Sequence, residues 1–235
     1  MHHNYRRDYI HHQTSSFRDQ LKEIVFGMED GMVSTLGSIT GIAVGSKDHY
    51  TVILAGLVII AVESVSMGIG SFLSNRSKEE VDQRKLEEEK DEIAKYPYEE
   101  KNELTKIYIK DGWPQDLAGQ MSEAAAKNKH LMLKEMALRE LKVFPNETST
   151  SIKGGLYMFM AYVIGGMVPL FAYFIFDIKT ALSISIGITL IGLFILGAGT
   201  TKFTKQPLAK AGLRMLITGG IALSVGLLAG LLIGQ

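Results

Sequence analysis

Residues 26–34 read FGMEDGMVS. Two adjacent carboxylates, Glu29 and Asp30, stand there between Gly27 and Gly31 and between Met28 and Met32. Apolar positions resume at once, at Met32, Val33, Leu36, Ile39, Ile42 and Val44. If this run crosses a membrane, the chain is a bundle of spans and the carboxylates are exceptional. An ionised carboxylate near the bilayer centre costs about 2.5–3.5 kcal/mol on insertion scales, so it is functional by default and faces protein or water. Otherwise both carboxylates pair with Lys22 or other bases nearby.

The rest of the 235-residue chain favours the membrane reading. Apolar runs fill residues 51–73, 155–176, 180–201 and 212–234. Each has the roughly 20 residues a helix needs to cross the hydrocarbon core. With a weaker first span at about 24–44, the expectation is an all-α integral membrane protein of five transmembrane helices. A charged helical insert lies between the second and third. The divisions are an N-terminal segment over 1–22, spans one and two over 23–75, the insert over 76–150, and spans three to five over 151–235. The start, MHHNYRRDYIHHQTSS, has no apolar core of a cleavable signal. Its histidines at 2, 3, 11 and 12 are read as part of a disordered terminus or a tag remnant.

Charge is balanced, with 25 basic and 25 acidic residues, so net charge names no partner and no nucleic acid is expected. Placement is more telling. Arg6, Arg7, Arg18 and Lys22 precede span one, and Lys202, Lys205, Lys210 and Arg214 flank the link between spans four and five. The positive-inside rule then puts the N-terminus and the insert in the cytoplasm and the C-terminus outside. With no organelle signal evident, a prokaryotic cell membrane is expected over a vacuole. Cysteine is absent, which excludes disulfides, thiolate metal sites and cysteine nucleophiles. Gly37, Gly41 and Gly45 recur every four residues, as do Gly226, Gly230 and Gly234. Small residues at that spacing let helices approach closely, within one chain or across a subunit interface. The expectation is a homodimer packed through span one.

In the insert, residues 76–96 hold strong helix formers and no glycine or proline, so span two should continue as a helix until Pro97. A second helix should run from about Tyr98 to Lys110. Gly112, Trp113 and Pro114 break the chain, one or two helices fill 115–143, and Pro145 closes the insert. Glu89 and Glu92 are three apart, as are Glu100 and Glu103, and residues three or four apart share a helix face. Two helices hinged at Pro97 could face these pairs toward each other as oxygen ligands for divalent cations. Met132, Glu135 and Met136 follow, and a thioether beside carboxylates favours softer first-row ions. The alternatives stay open at this point. Glutamate-rich helices are commonly solvated faces, here with Lys85, Lys90, Lys95 and Lys101 as partners, and methionines at helical spacing are commonly core.

These motifs together resemble the vacuolar iron transporter family. The similarity runs from about Arg18 to Gln235, and is most specific in VFGMEDGMVSTLGSITGIAVG at 25–45 and SVSMGIGSFLS at 64–74. It implies that Asp30 is the membrane aspartate and Met67 the span-two methionine. It also implies that Glu89, Glu92, Glu100, Glu103, Met132 and Glu135 form the metal site of the insert. Two departures stand out. Leu131 replaces a methionine, and Ile59 replaces a glutamate found in plant members, leaving Glu63 four residues before Met67. Asp30, Glu63 and Met67 would then make a station of two oxygens and one sulfur, with Glu29 nearer the pathway mouth. The resemblance implies a homodimeric exchanger moving Fe2+, with Mn2+, Co2+, Ni2+ or Zn2+ as further candidates, against protons. No resident cofactor is implied.

Energetics agree with coupling. Moving a divalent ion out against an inside-negative potential costs about 4.6 kcal/mol per 100 mV, twice the cost for one charge. No G-x-x-x-x-G-K-[ST] loop is present to bind ATP. A ferritin-like membrane oxidase would use Glu-x-x-His on facing helices, and no such pair occurs. A membrane-anchored metal sensor or chaperone would leave the carboxylates within the spans unexplained.

Overall fold

The computed structural model describes residues 16–143 and 151–233, with side chains from residue 20 on. Among the described residues eight α-helices follow in chain order: α1 (Ser16–Ser46), α2 (His49–Lys95), α3 (Pro97–Lys110), α4 (Gln115–Ala126), α5 (Lys129–Arg139), α6 (Ser151–Phe171), α7 (Ile178–Thr204) and α8 (Leu208–Ile233). No strand occurs among the described residues. The chain forms two compact units, one of Met1–Phe72 with Ile152–Gln235 and one of Leu73–Ser151. Helix α2 contributes to both.

In the first unit, α2, α6 with its short 3-10 continuation, α7 and α8 are long and apolar enough to cross a membrane. Bare aliphatic side chains run along them at helical spacing. Leu54, Val58, Val62, Val65 and Ile69 do so on α2, and Ile217, Ile221, Val225 and Leu228 on α8. Such faces suit hydrocarbon, where every backbone polar group must be satisfied within the helix. Helix starts are capped accordingly. Asp48 accepts from the Thr51 N–H at 2.8 Å, and Asp177 accepts from the Thr180 N–H at 3.3 Å. Pro169 lies inside α6. Its carbonyl accepts from Ser185 Oγ of α7 at 2.7 Å, and the helix then tightens into the 3-10 turn Ala172–Phe174.

Helix α1 is not among these four, and much of it faces protein. Met32, Leu36, Ile39 and Ala43 are buried, as are Thr35 and Thr40. Met32 packs with Leu193 and Met215, and Ile39 with Val52, Ile60 and Leu170. The glycine spacing is spent inside the chain. A Cβ on Gly37 would lie 2.9 Å from the Ala222 carbonyl oxygen, and one on Gly41 would lie 2.6 Å from that of Gly226. So α1 and α8 touch backbone to backbone through the repeat expected to join subunits. Gly234 falls outside the described residues.

In the second unit, the later part of α2 meets α3, α4 and α5 around Ile93, Leu104, Tyr108, Ala118, Ala125, Met132 and Met136. Helix α2 stops at Lys95, and Pro97 opens α3 rather than merely ending its predecessor. Proline suits a first helical position, where its missing N–H would have no partner. Gly112, at φ +99°, turns the chain from α3 into α4. Asn128 caps α5 by accepting from the N–H groups of His130 and Leu131. Pro145, the expected end of the insert, lies outside the described residues.

Candidate functional site

Much of the charge on α2 and α3 is solvated pairing. Arg76 pairs with Glu80, Arg84 with Glu88, Lys95 with Asp91, and Lys101 with Glu123. These exposed pairs each contribute little. Glu89 and Glu100 are different. They are 2% and 7% exposed, deeper than almost any unpaired carboxylate should be. Glu89 Oε1 and Glu100 Oε2 have no hydrogen-bond partner among the described residues. Burial, then the charges of Glu140 and Glu100 and a hydrogen bond shared with Glu100, push the Glu89 carboxyl up to about 8. Burial also raises Glu100, and its hydrogen bond with Glu89 opposes the rise. Burial and mutual repulsion therefore favour a proton held between Glu89 and Glu100. Removing that proton would leave two buried negative charges with no counterion, which a divalent cation would relieve.

Glu92 and Glu103, both exposed, sit around this pair. Glu92 acts on Glu89, Glu100 and Glu140, and Glu103 acts on Glu100 and Glu140. The four glutamates expected from spacing are thus brought into one electrostatic neighbourhood. The expected Met132 and Glu135 are not part of it. Met132 is 2% exposed in the apolar core. Glu135 accepts from Tyr108 Oη at 3.0 Å and from Arg139 Nε at 3.0 Å. Arg139 also pairs with Asp111 and lies 4.7 Å over the Tyr108 ring. That knot fastens α5 to α3.

The fifth acid of the neighbourhood is Glu140, just past α5. Its carboxyl is raised by desolvation first, then by Glu103, Glu100 and Glu92. Its N–H bonds the Met136 carbonyl at 2.8 Å. The sequence signal was available: Met136 and Glu140 are four apart on one face, a register one turn beyond the M-x-x-E reading that selected Met132 and Glu135. No three His, Cys, Asp or Glu side chains converge tightly enough to hold a metal ion among the described residues. The acids form a concentrated negative field, not a finished coordination sphere.

The first unit carries the second set of acids. Glu63 and then Glu29 are the charges that act on Asp30. Among the described residues no cation pairs with Asp30, Glu29 or Glu63, so the alternative of pairing with Lys22 is not used. Glu29 Oε1 accepts from Thr218 Oγ1 of α8 at 3.0 Å. It therefore faces a neighbouring helix. Glu63 Oε2 accepts from Ser34 Oγ at 2.8 Å and from the Tyr162 hydroxyl. The two hydroxyls also touch each other. Met67, four residues after Glu63, is half-buried on the same helix. Gly31, beside Asp30, makes this meeting possible. A Cβ there would strike the Tyr162 carbonyl and lie 2.9 Å from the Gly166 nitrogen.

The apolar helices and their uncompensated carboxylates define an all-helical integral membrane protein with an acidic interior. The model of the VIT family matches residues 21–231. The vacuolar iron transporter of Plasmodium berghei (strain Anka) is 30% identical, covering 98% of this chain and 88% of its own. That of Plasmodium falciparum (isolate 3D7) is 31% identical over 92% and 83%. Vacuolar iron transporter 1 of Oryza sativa subsp. japonica is 28% identical over 90% and 85%. The chain belongs to the VIT family, whose relatives here are named as transporters, not enzymes. These three relatives are eukaryotic.

Proposed function

We propose that the protein exports Fe2+ from the cytoplasm in exchange for protons, with α1 as a fifth span. The observation that carries this reading is the set of carboxylates in the first unit, Asp30, Glu29 and Glu63, held among apolar helices without a cation among the described residues. An ionisable group in that setting is retained for an ion pathway or a proton relay. The family adds the cargo, since its relatives are named iron transporters. Asp30 and Glu63, with the Met67 sulfur, offer the mixed oxygen and thioether donors that suit Fe2+ better than Mg2+ or Ca2+. Protons and metal would compete for the same oxygens, so entry of one expels the other.

The acids of the second unit collect metal from the cytoplasm. Glu89, Glu92, Glu100 and Glu103 supply oxygens, and Glu140 replaces Glu135 as the fifth. The basic residues up to the first turns of α1 and around the link between α7 and α8 support a cytoplasmic N-terminus and insert. A groove of about 690 Å3 along α1 and α8, lined by Ser34, Ser38, Ala222 and Ala229 among others, supports a homodimer seated there. The test is Fe2+ uptake by purified protein in proteoliposomes with the lumen acidic, and again with the gradient collapsed. Uptake that ignores the gradient would overturn proton exchange, and absence of uptake would overturn transport.

A further inference from the structure

Three helices meet at the Glu63 carboxylate. Ser34 comes from α1, Glu63 from α2 and Tyr162 from α6. Ser34 follows Asp30 by four residues, on the same face of α1. Tyr162 is 0% exposed, so its ring is fixed by packing. Both hydroxyls end on the same atom, Oε2. Oε1 receives no hydrogen bond from any described residue.

That asymmetry has a coordination consequence. A carboxylate oxygen offers about two lone-pair directions, and two donors occupy both on Oε2. Glu63 can then present a cation with one oxygen, not two. Ca2+ takes six to eight oxygens and commonly draws both from one carboxylate. Smaller first-row ions need fewer ligands and suit single-oxygen donors alongside a thioether. We infer that Ser34 and Tyr162 are specificity-determining positioning residues, which hold Glu63 as a one-oxygen ligand and so exclude Ca2+. This rests on the reading of Glu63 as part of the ion pathway.

The experiment uses the full chain in proteoliposomes, with Co2+ as the transported probe and Ca2+ as competitor. The readout is the Ca2+ concentration for half-inhibition divided by the KM for Co2+, which is independent of the absolute rate. Ser34→Ala and Tyr162→Phe each free a lone pair on Oε2. Each should lower that ratio about tenfold, the scale of one hydrogen bond to a charged group. Ser34→Thr keeps the hydroxyl and should keep the wild-type ratio. Ser34→Ala leaves the buried ring untouched, so it carries the test even if Tyr162→Phe fails to fold. A wild-type ratio in Ser34→Ala overturns the inference. Glu63→Gln separates the two levels. If it transports Co2+ with wild-type kinetics, the pathway reading of Glu63 fails; if it is impaired while Ser34→Ala keeps the wild-type ratio, only the one-oxygen selectivity fails.

Discussion

At the scale of single residues, neighbours decide what each acid can do. Asp30 has Glu63 and Glu29 for neighbours and no cation among the described residues, whereas Glu29 is tied to Thr218. Asp30→Asn keeps size and hydrogen bonding but removes the charge for which metal and proton compete. Metal uptake and luminal pH change, recorded in the same proteoliposomes, should both collapse. Glu29→Gln can still accept from Thr218, so it should do less. A fully active Asp30→Asn protein would sink the exchange mechanism. Asp30 stands out in the sequence because lipid makes any buried charge conspicuous. Glu140 was harder to single out, because its spacing from Met136 and that of Glu135 from Met132 are equally plausible patterns. Only the capture of Glu135 by Tyr108 and Arg139 separates them. The separation is testable. Glu135→Ala leaves the Tyr108 hydroxyl without its acceptor and Arg139 with Asp111 alone, and should cost about 1–3 kcal/mol of stability. It should leave metal affinity of the folded protein unchanged. Glu140→Ala should do the reverse, as calorimetric metal titration and thermal melts of both variants would reveal.

At the scale of elements, the hinge between α2 and α3 sets a pH dependence. Glu89 is held up to about 8, and Glu100 and Glu140 are also raised. The folded metal-free unit therefore keeps protons that the unfolded chain gives up near 4.5. Stability is then greatest below that ordinary value and falls as pH rises towards about 8. A bound divalent ion replaces those protons, so saturating metal should reverse the slope and chelation should restore it. Trp113 is the sole tryptophan and lies in the turn between α3 and α4, so its fluorescence reports this unit alone. A metal-free melt that is flat from pH 5 to 8 would return these acids to an ordinary solvated role. The helices themselves were readable from apolar run length, from Pro97 and from the Gly112–Pro114 break. Helix α1 was harder, because hydropathy measures fitness for lipid and α1 is packed against protein. The purpose of its glycine repeat was ambiguous for a related reason. Spacing shows that a backbone comes close but not whose, and here it is that of α8. Gly41→Leu should therefore unfold or loosen the single chain, at a cost of about 1–3 kcal/mol or more, before it affects any subunit contact.

At the scale of the whole molecule, the question is whether two acidic stations act in series. The acids proposed to collect metal lie in the unit of Leu73–Ser151 and those proposed to exchange it in the other. If collection and exchange are separate steps, they should fail separately. Changing Glu89, Glu92, Glu100 and Glu103 together to alanine should leave helicity nearly intact, since alanine is the best helix former. It should raise the KM for Fe2+ by reducing capture at low concentration. At saturating Fe2+ the maximal rate and the protons moved per ion should stay near wild type, because Asp30 and Glu63 are untouched. Asp30→Asn should show the opposite split, with metal binding by the second unit retained and the maximal rate lost. Uptake measured across an Fe2+ concentration series, with luminal pH read in parallel, separates the two. An equal loss of maximal rate in both variants would mean that the acids of the second unit take part in translocation itself. The division into collecting and exchanging parts would then have to be abandoned.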